Sequence, residues 1–127
     1  MGGRGTFAAG NNIPYKYKTV ETIDGVKVLQ PIEPKSSFNL PVESHSSTRY
    51  LLLDKAGVFR QYREYNEKHE VIFEIGYHFE SGMSKKGEPV LHVHEYSPPG
   101  IQNRGKARPI TEKEIERYRN LFRGVKL

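Results

Sequence analysis

Residues 70–96, EVIFEIGYHFESGMSKKGEPVLHVHEY, hold two apolar segments around a polar centre, and their alternation decides the fold. In the first segment Val71, Phe73, Ile75, Tyr77 and Phe79 occupy every second position, with Glu70, Ile72, Glu74, Gly76, His78 and Glu80 between them. In the second, Leu91 and Val93 alternate with Val90, His92, His94 and Tyr96. A period of two belongs to a β-strand, whose successive side chains leave on opposite faces. The polar loop SGMSKKGE suits a reversal of direction, so two antiparallel strands are expected. If both apolar faces cover one core, His78, His92 and His94 share one open surface, with Glu74 and Glu80 as neighbours.

Working outward, RYLLLD (49–54) and VFRQYREY (58–65) are rich in leucine and aromatic residues; the short turn KAG separates them, and NEKH separates the second from EVIFEIGYHFE. They extend the pair to a four-stranded antiparallel meander over residues 49–96, which Pro98-Pro99-Gly100 should end because proline donates nothing to a ladder. Upstream, PIEPKSSFNLPVESHSS has three prolines and five serines and neither period, so a long loop is expected at about 31–48. Before it, YKYKTVETIDGVKVLQ (15–30) reads as a separate hairpin about Asp24-Gly25. Residues 1–12, MGGRGTFAAGNN, show no periodicity and are expected to be disordered. At the other end, Thr111 and Glu114 have the spacing of a capping box. Ile115, Tyr118, Leu121, Phe122 and Val125 then recur near helical spacing, so a C-terminal helix should pack on the apolar face of the meander. The expectation is a single α+β domain over residues 13–127.

Composition narrows the chemistry. The 127 residues include no cysteine, which excludes disulfides, thiolate metal sites and cysteine nucleophiles and fits a reducing cytoplasm. No apolar run approaches the roughly 18 residues of a membrane span, so a soluble protein without a membrane partner is expected. The net charge is +5, and residues 97–127 carry eight Lys/Arg against three Glu, leaving twelve of each sign in residues 1–96. A basic C-terminal third is what RNA or another polyanion would feel. Neither GxxxxGK[ST] nor GxGxxG occurs, which disfavours a nucleotide-dependent enzyme.

The spaced histidines admit three readings. His-x-His on a strand offers two imidazoles to one metal ion, which a histidine or glutamate of the adjacent strand could complete. Alternatively, two imidazoles titrating near ~6.5 serve as base and acid in a phosphoryl transesterification, for which RNA supplies the 2′-hydroxyl nucleophile. In the third reading the rings stack on aromatics or bond to carboxylates and do no chemistry. The second reading, with no metal and no cofactor, gives His92 and His94 proton transfer with His78 in support. Glu74 or Glu80 then orients an imidazole, and Arg104, Lys106 and Arg108 in NRGKARP hold phosphate. No role is expected for His45 or His69.

Three short motifs stand out in residues 51–96: Tyr62-Arg63-Glu64-Tyr65, Glu74-Ile75-Gly76-Tyr77-His78, and Pro89-Val90-Leu91-His92-Val93-His94-Glu95-Tyr96. Together they resemble a histidine-containing module of the C-terminal regions of bacterial polymorphic toxins and some phage head-associated proteins. The start MGGRG is similar to openings of small Gram-positive prophage proteins. Two positions depart from the pattern: Asn66-Glu67-Lys68-His69 replaces a glycine-containing turn, and Gly76 stands where an acidic residue is expected. The resemblance implies a prophage setting, a nuclease-like activity and a phage or toxin/immunity partner. The alternative of another class is a non-catalytic phage accessory or binding module whose basic tail docks a partner.

Overall fold

The computed structural model of the chain describes residues 17–31, 40–41, 44, 47–84, 87–97 and 103–127. The expectations for residues 1–12, His45 and Pro98-Pro99-Gly100 lie outside them. Seven strands form one sheet in chain order: β1 (Tyr17–Ile23), β2 (Val26–Pro31), β3 (Arg49–Leu53), β4 (Phe59–Tyr65), β5 (Val71–His78), β6 (Val90–Glu95) and β7 (Arg108–Pro109). A short helix, α1 (Glu112–Tyr118), and a 3-10 turn (Arg119–Leu121) follow. The architecture is therefore α+β with a C-terminal helix, but the sheet has seven strands where a four-stranded meander and a separate hairpin were expected.

The difference arises at β2 and β3, which pair in parallel through Lys27↔Tyr50 and Val28↔Leu51, whereas all other neighbours are antiparallel. Parallel neighbours need a crossover of about a dozen residues or more, and the segment 32–48 is long enough to supply it. β7 is the other addition, pairing Pro109 with His92 and Arg108 with Val93.

Local chemistry sets the turns. Asp24 (φ 51°) and Gly25 (φ 80°) are both left-handed, as the tight β1–β2 turn requires. In the β4–β5 turn His69 (φ 67°) takes the left-handed position for which glycine was expected. Asn66 makes this workable, because its Oδ1 accepts the amides of Lys68 and Glu70, each at 2.9 Å.

One face of the sheet is covered by the C-terminal segment. Tyr118, Leu121 and Phe122 pack on Val26, Val28, Leu51, Phe59, Tyr62, Ile75 and Val93. Burial stabilises such side chains by about 1.5–3 kcal/mol each, whereas an isolated helix shorter than roughly 12 residues has little stability of its own. The helix is thus held by its contacts and by its start, where Glu114 N–H donates to Thr111 Oγ1 (3.2 Å) and Thr111 N–H donates to Glu114 Oε1 (3.0 Å). Tyr62 and Tyr118 hydroxyls both donate to Glu64 Oε2 at 2.6 Å, tying helix to sheet.

The opposite face was expected to be open, and it is largely enclosed. Leu29, Leu40, Tyr50, Leu52, Tyr65, Val71 and Tyr96 form a second apolar cluster there. Leu40, Pro41 and Ser44 of the long connection lie over it: Leu40 N–H donates to Gln61 Oε1 (2.7 Å), and Arg63 Nη1 donates to the Leu40 carbonyl (2.9 Å). Ser44 N–H donates to the carbonyl of His69 (3.1 Å), and Ser44 Oγ meets His69 Nδ1 at 3.1 Å. His69, for which no role was expected, therefore fastens the connection to the β4–β5 turn. Among the described residues no helix is long and apolar enough to cross a membrane.

Candidate functional site

The antiparallel register of β5 and β6 places Glu74 opposite His94, Gly76 opposite His92 and His78 opposite Val90. Glu74, Gly76, His78, His92 and His94 thereby lie on the second face. Because Gly76 has no side chain, His78 leans across it and meets His92 edge to face, with ring centroids 4.5 Å apart. His94 continues the row, its centroid 5.3 Å from that of His92. The row is enclosed: His92 is 0% and His94 4% exposed, so these two rings are not the surface pair expected.

All three rings are anchored alike. His78 Nδ1 bonds to the Phe79 carbonyl (2.8 Å), His92 Nδ1 to that of Val90 (2.9 Å), and His94 Nδ1 to that of Gly105 (2.8 Å). A carbonyl oxygen only accepts, so each Nδ1 carries a hydrogen, and in the neutral ring Nε2 is left with its lone pair. Arg104 Nη2 donates to His94 Nε2, so both nitrogens of His94 are engaged. Among the described residues His92 Nε2 is buried without a hydrogen-bond partner, and Glu80 Oε1 lies 3.5 Å from it. Burial pushes the His92 imidazole below its ordinary range and favours the neutral ring.

Glu74 does not orient an imidazole. Its carboxylate accepts from Arg63 Nε (3.1 Å), Gln61 Nε2 (3.3 Å) and the Tyr96 hydroxyl (2.6 Å). Burial alone would raise the Glu74 carboxyl, but Arg63, Tyr96 and Gln61 outweigh it and hold the group below its usual range. Burial pushes the Tyr96 hydroxyl up to about 12, so it remains a donor.

Beside these groups lies a cleft of about 270 Å³, bounded by Arg60, Arg63 and Arg104 together with Gln61, Glu74 and His78. Of the three cations expected to hold phosphate, only Arg104 lines it. Lys106 is exposed. Arg108 is engaged elsewhere: its Nη2 lies 2.8 Å from both Glu95 and Glu114, clamping α1 to β6, because its pairing with Val93 turns it toward the helix-covered face. In the sequence Arg60 and Arg63, interleaved with Tyr50, Tyr62 and Tyr65, also read as a phosphate surface for single-stranded nucleic acid, a reading ranked below cross-strand packing of the tyrosines, whereas Gln61 carried no expectation. Gln61 and Arg63 alternate with Tyr62 and Glu64, a signal that would have placed them beside Glu74. Arg60 had no such signal, since it is the extra residue where the β3–β4 register shifts between Leu52↔Gln61 and Leu53↔Phe59.

Comparisons of the chain with protein-family models, with curated proteins and with solved structures find no match.

Proposed function

We propose that this protein is a prophage-associated, toxin-like domain that binds RNA at the arginine-lined cleft and cleaves it beside the His78–Glu80–His92 group. The observation that carries the reading is the placement of Arg60 and Arg104, two guanidinium groups without an ion pair among the described residues, in one cleft with His78. Arg63 contributes less, because its charge is balanced by Glu74. A guanidinium pairs two N–H groups with two phosphate oxygens, a match that an ammonium does not offer. Pockets for whole small molecules are mostly apolar and about 300–1,000 Å³. A polar cleft of about 270 Å³ better suits one segment of a charged polymer. The resemblance of residues 51–96 to a toxin module supports the same assignment.

The roles differ from a metal-free acid/base pair at His92 and His94. His92 has no exposure, and both His94 nitrogens are bonded, so His78 is the ring that a strand in the cleft would meet. That same enclosure favours a second reading, a binding module without catalysis. Incubation of purified protein with mixed cellular RNA separates the two. Cleavage lost in His78→Ala supports the enzyme, intact RNA retained on the protein supports the binding module, and failure to bind RNA removes both.

A further inference from the structure

At the edge of the cleft, three groups that can each donate a lone pair converge. His78 Nε2 or Nδ1, His92 Nε2 or Nδ1 and a Glu80 carboxylate oxygen include one atom from each residue that lies within 4.8 Å of the others. The anchored Nδ1 atoms leave Nε2 as the available donor of each ring. His92 Nε2 is enclosed and unpartnered, and it faces Glu80 Oε1 at 3.5 Å, one acceptor against another. A buried acceptor left unsatisfied is costly. What fits between two lone pairs and a carboxylate is a cation.

Gly76 provides an independent sign of the same thing. A Cβ at this position would stand 3.0 Å from His92 Nε2 and 3.1 Å from His78 Nε2. Both nitrogens therefore border space that any other residue would fill. This accounts for glycine where an acidic residue was expected: a carboxylate there would displace the rings.

We infer that His78, Glu80 and His92 bind one divalent transition-metal ion of the Zn²⁺, Fe²⁺ or Mn²⁺ class. Two imidazoles and a carboxylate suit these ions, and three protein ligands leave coordination positions for water or substrate. An Nδ1–H bonded to a backbone carbonyl is the support that metal-ligating histidines use to fix the tautomer and aim the ring. Bonds of about 2.0–2.1 Å in a tetrahedral site set ligand atoms about 3.4 Å apart. Glu80 and His92 are already at 3.5 Å, close to that spacing, and His78 offers a ligand atom within 4.8 Å of both. Glu80 can adjust, because it is half-buried on a turn whose backbone is held by Ser84 Oγ, which accepts the Glu80 N–H at 2.7 Å. The site stands on this geometry and does not depend on RNA being the substrate.

The test uses tag-free, full-length protein treated with chelator, titrated with ZnCl₂ by calorimetry and with CoCl₂ by visible absorption. Wild type should bind one equivalent and melt at a higher temperature. Glu80→Gln and His78→Gln, both at partly exposed positions, should weaken binding at least tenfold, while His69→Gln should match wild type. Circular dichroism verifies that each variant is folded. No saturable binding by wild type, or binding that neither ligand variant weakens, overturns the site. RNA binding by the chelator-treated protein is measured in parallel, so loss of the RNA reading and loss of the metal site are separate results.

Discussion

Arg63 and Glu74 form an ion pair at 3.1 Å whose side chains are 7% and 3% exposed. It joins β4 to β5 on the enclosed face, and through the Leu40 carbonyl Arg63 also holds the long connection in place. Glu74→Ala leaves a buried guanidinium without a counter-charge, so a loss of about 3–5 kcal/mol is expected in urea unfolding. A cost below about 1 kcal/mol would mean that water reaches this pair in solution.

Gly76→Ala should separate folding from metal binding. The backbone there is not left-handed, so alanine brings no backbone strain, but its methyl would sit 3.0 Å from one ring nitrogen and 3.1 Å from the other, and the rings must shift. Urea unfolding should move by about 1 kcal/mol or less. Zinc affinity should fall at least tenfold; unchanged affinity would place the ion elsewhere.

The Arg108 clamp should fail in acid. Hydrogen bonding to Arg108, aided by Thr111 at the helix start, holds the Glu114 carboxyl at about 2 against an ordinary 4.5. A depressed carboxyl stabilises the fold above its unfolded pKa and loses that contribution as pH falls through the folded one. Wild type should therefore lose its advantage over Glu114→Gln between pH 4.5 and about 2. The difference should be of the order of 1 kcal/mol, since Arg108 and Glu95 remain partly exposed. A constant gap across that range would count against the clamp.

Salt dependence tests the cleft. Arg60→Ala and Arg104→Ala should each weaken RNA binding and flatten the plot of log affinity against log salt by about 0.7 for a single strand. Arg108→Ala, whose guanidinium faces the helix, should leave the slope unchanged. If Arg108→Ala alone flattens it, RNA binds the opposite face.

What the sequence revealed was local. Alternation around Ile75 and Val93 was enough to put three histidines on one face, Asp24-Gly25 marked a tight turn, and Thr111 with Glu114 marked the helix start. What it concealed was non-local. Nothing in Lys27 or Tyr50 announces a parallel pairing across the 32–48 segment. The enclosure of His92 depends on neighbouring structure, including the Gly76 gap into which His78 leans, and alternation does not report how deeply a face is covered. Arg108 read as a free cation because a two-residue strand has no period from which its direction could be read.

The parallel contact between β2 and β3 also orders assembly in time. β3, β4 and β5 are linked by five-residue connections, 54–58 and 66–70, so they can close one after another, whereas β1 and β2 must return across the whole 32–48 segment. Loop closure is entropically dearer and slower for such distant contacts. The expected order is that β3–β5 close first and the hairpin docks later, bringing Val26 and Val28 into the core. Two residue pairs hold that seam against five in β4–β5, so the amides of β2 at the seam should exchange with heavy water before those at the β4–β5 centre.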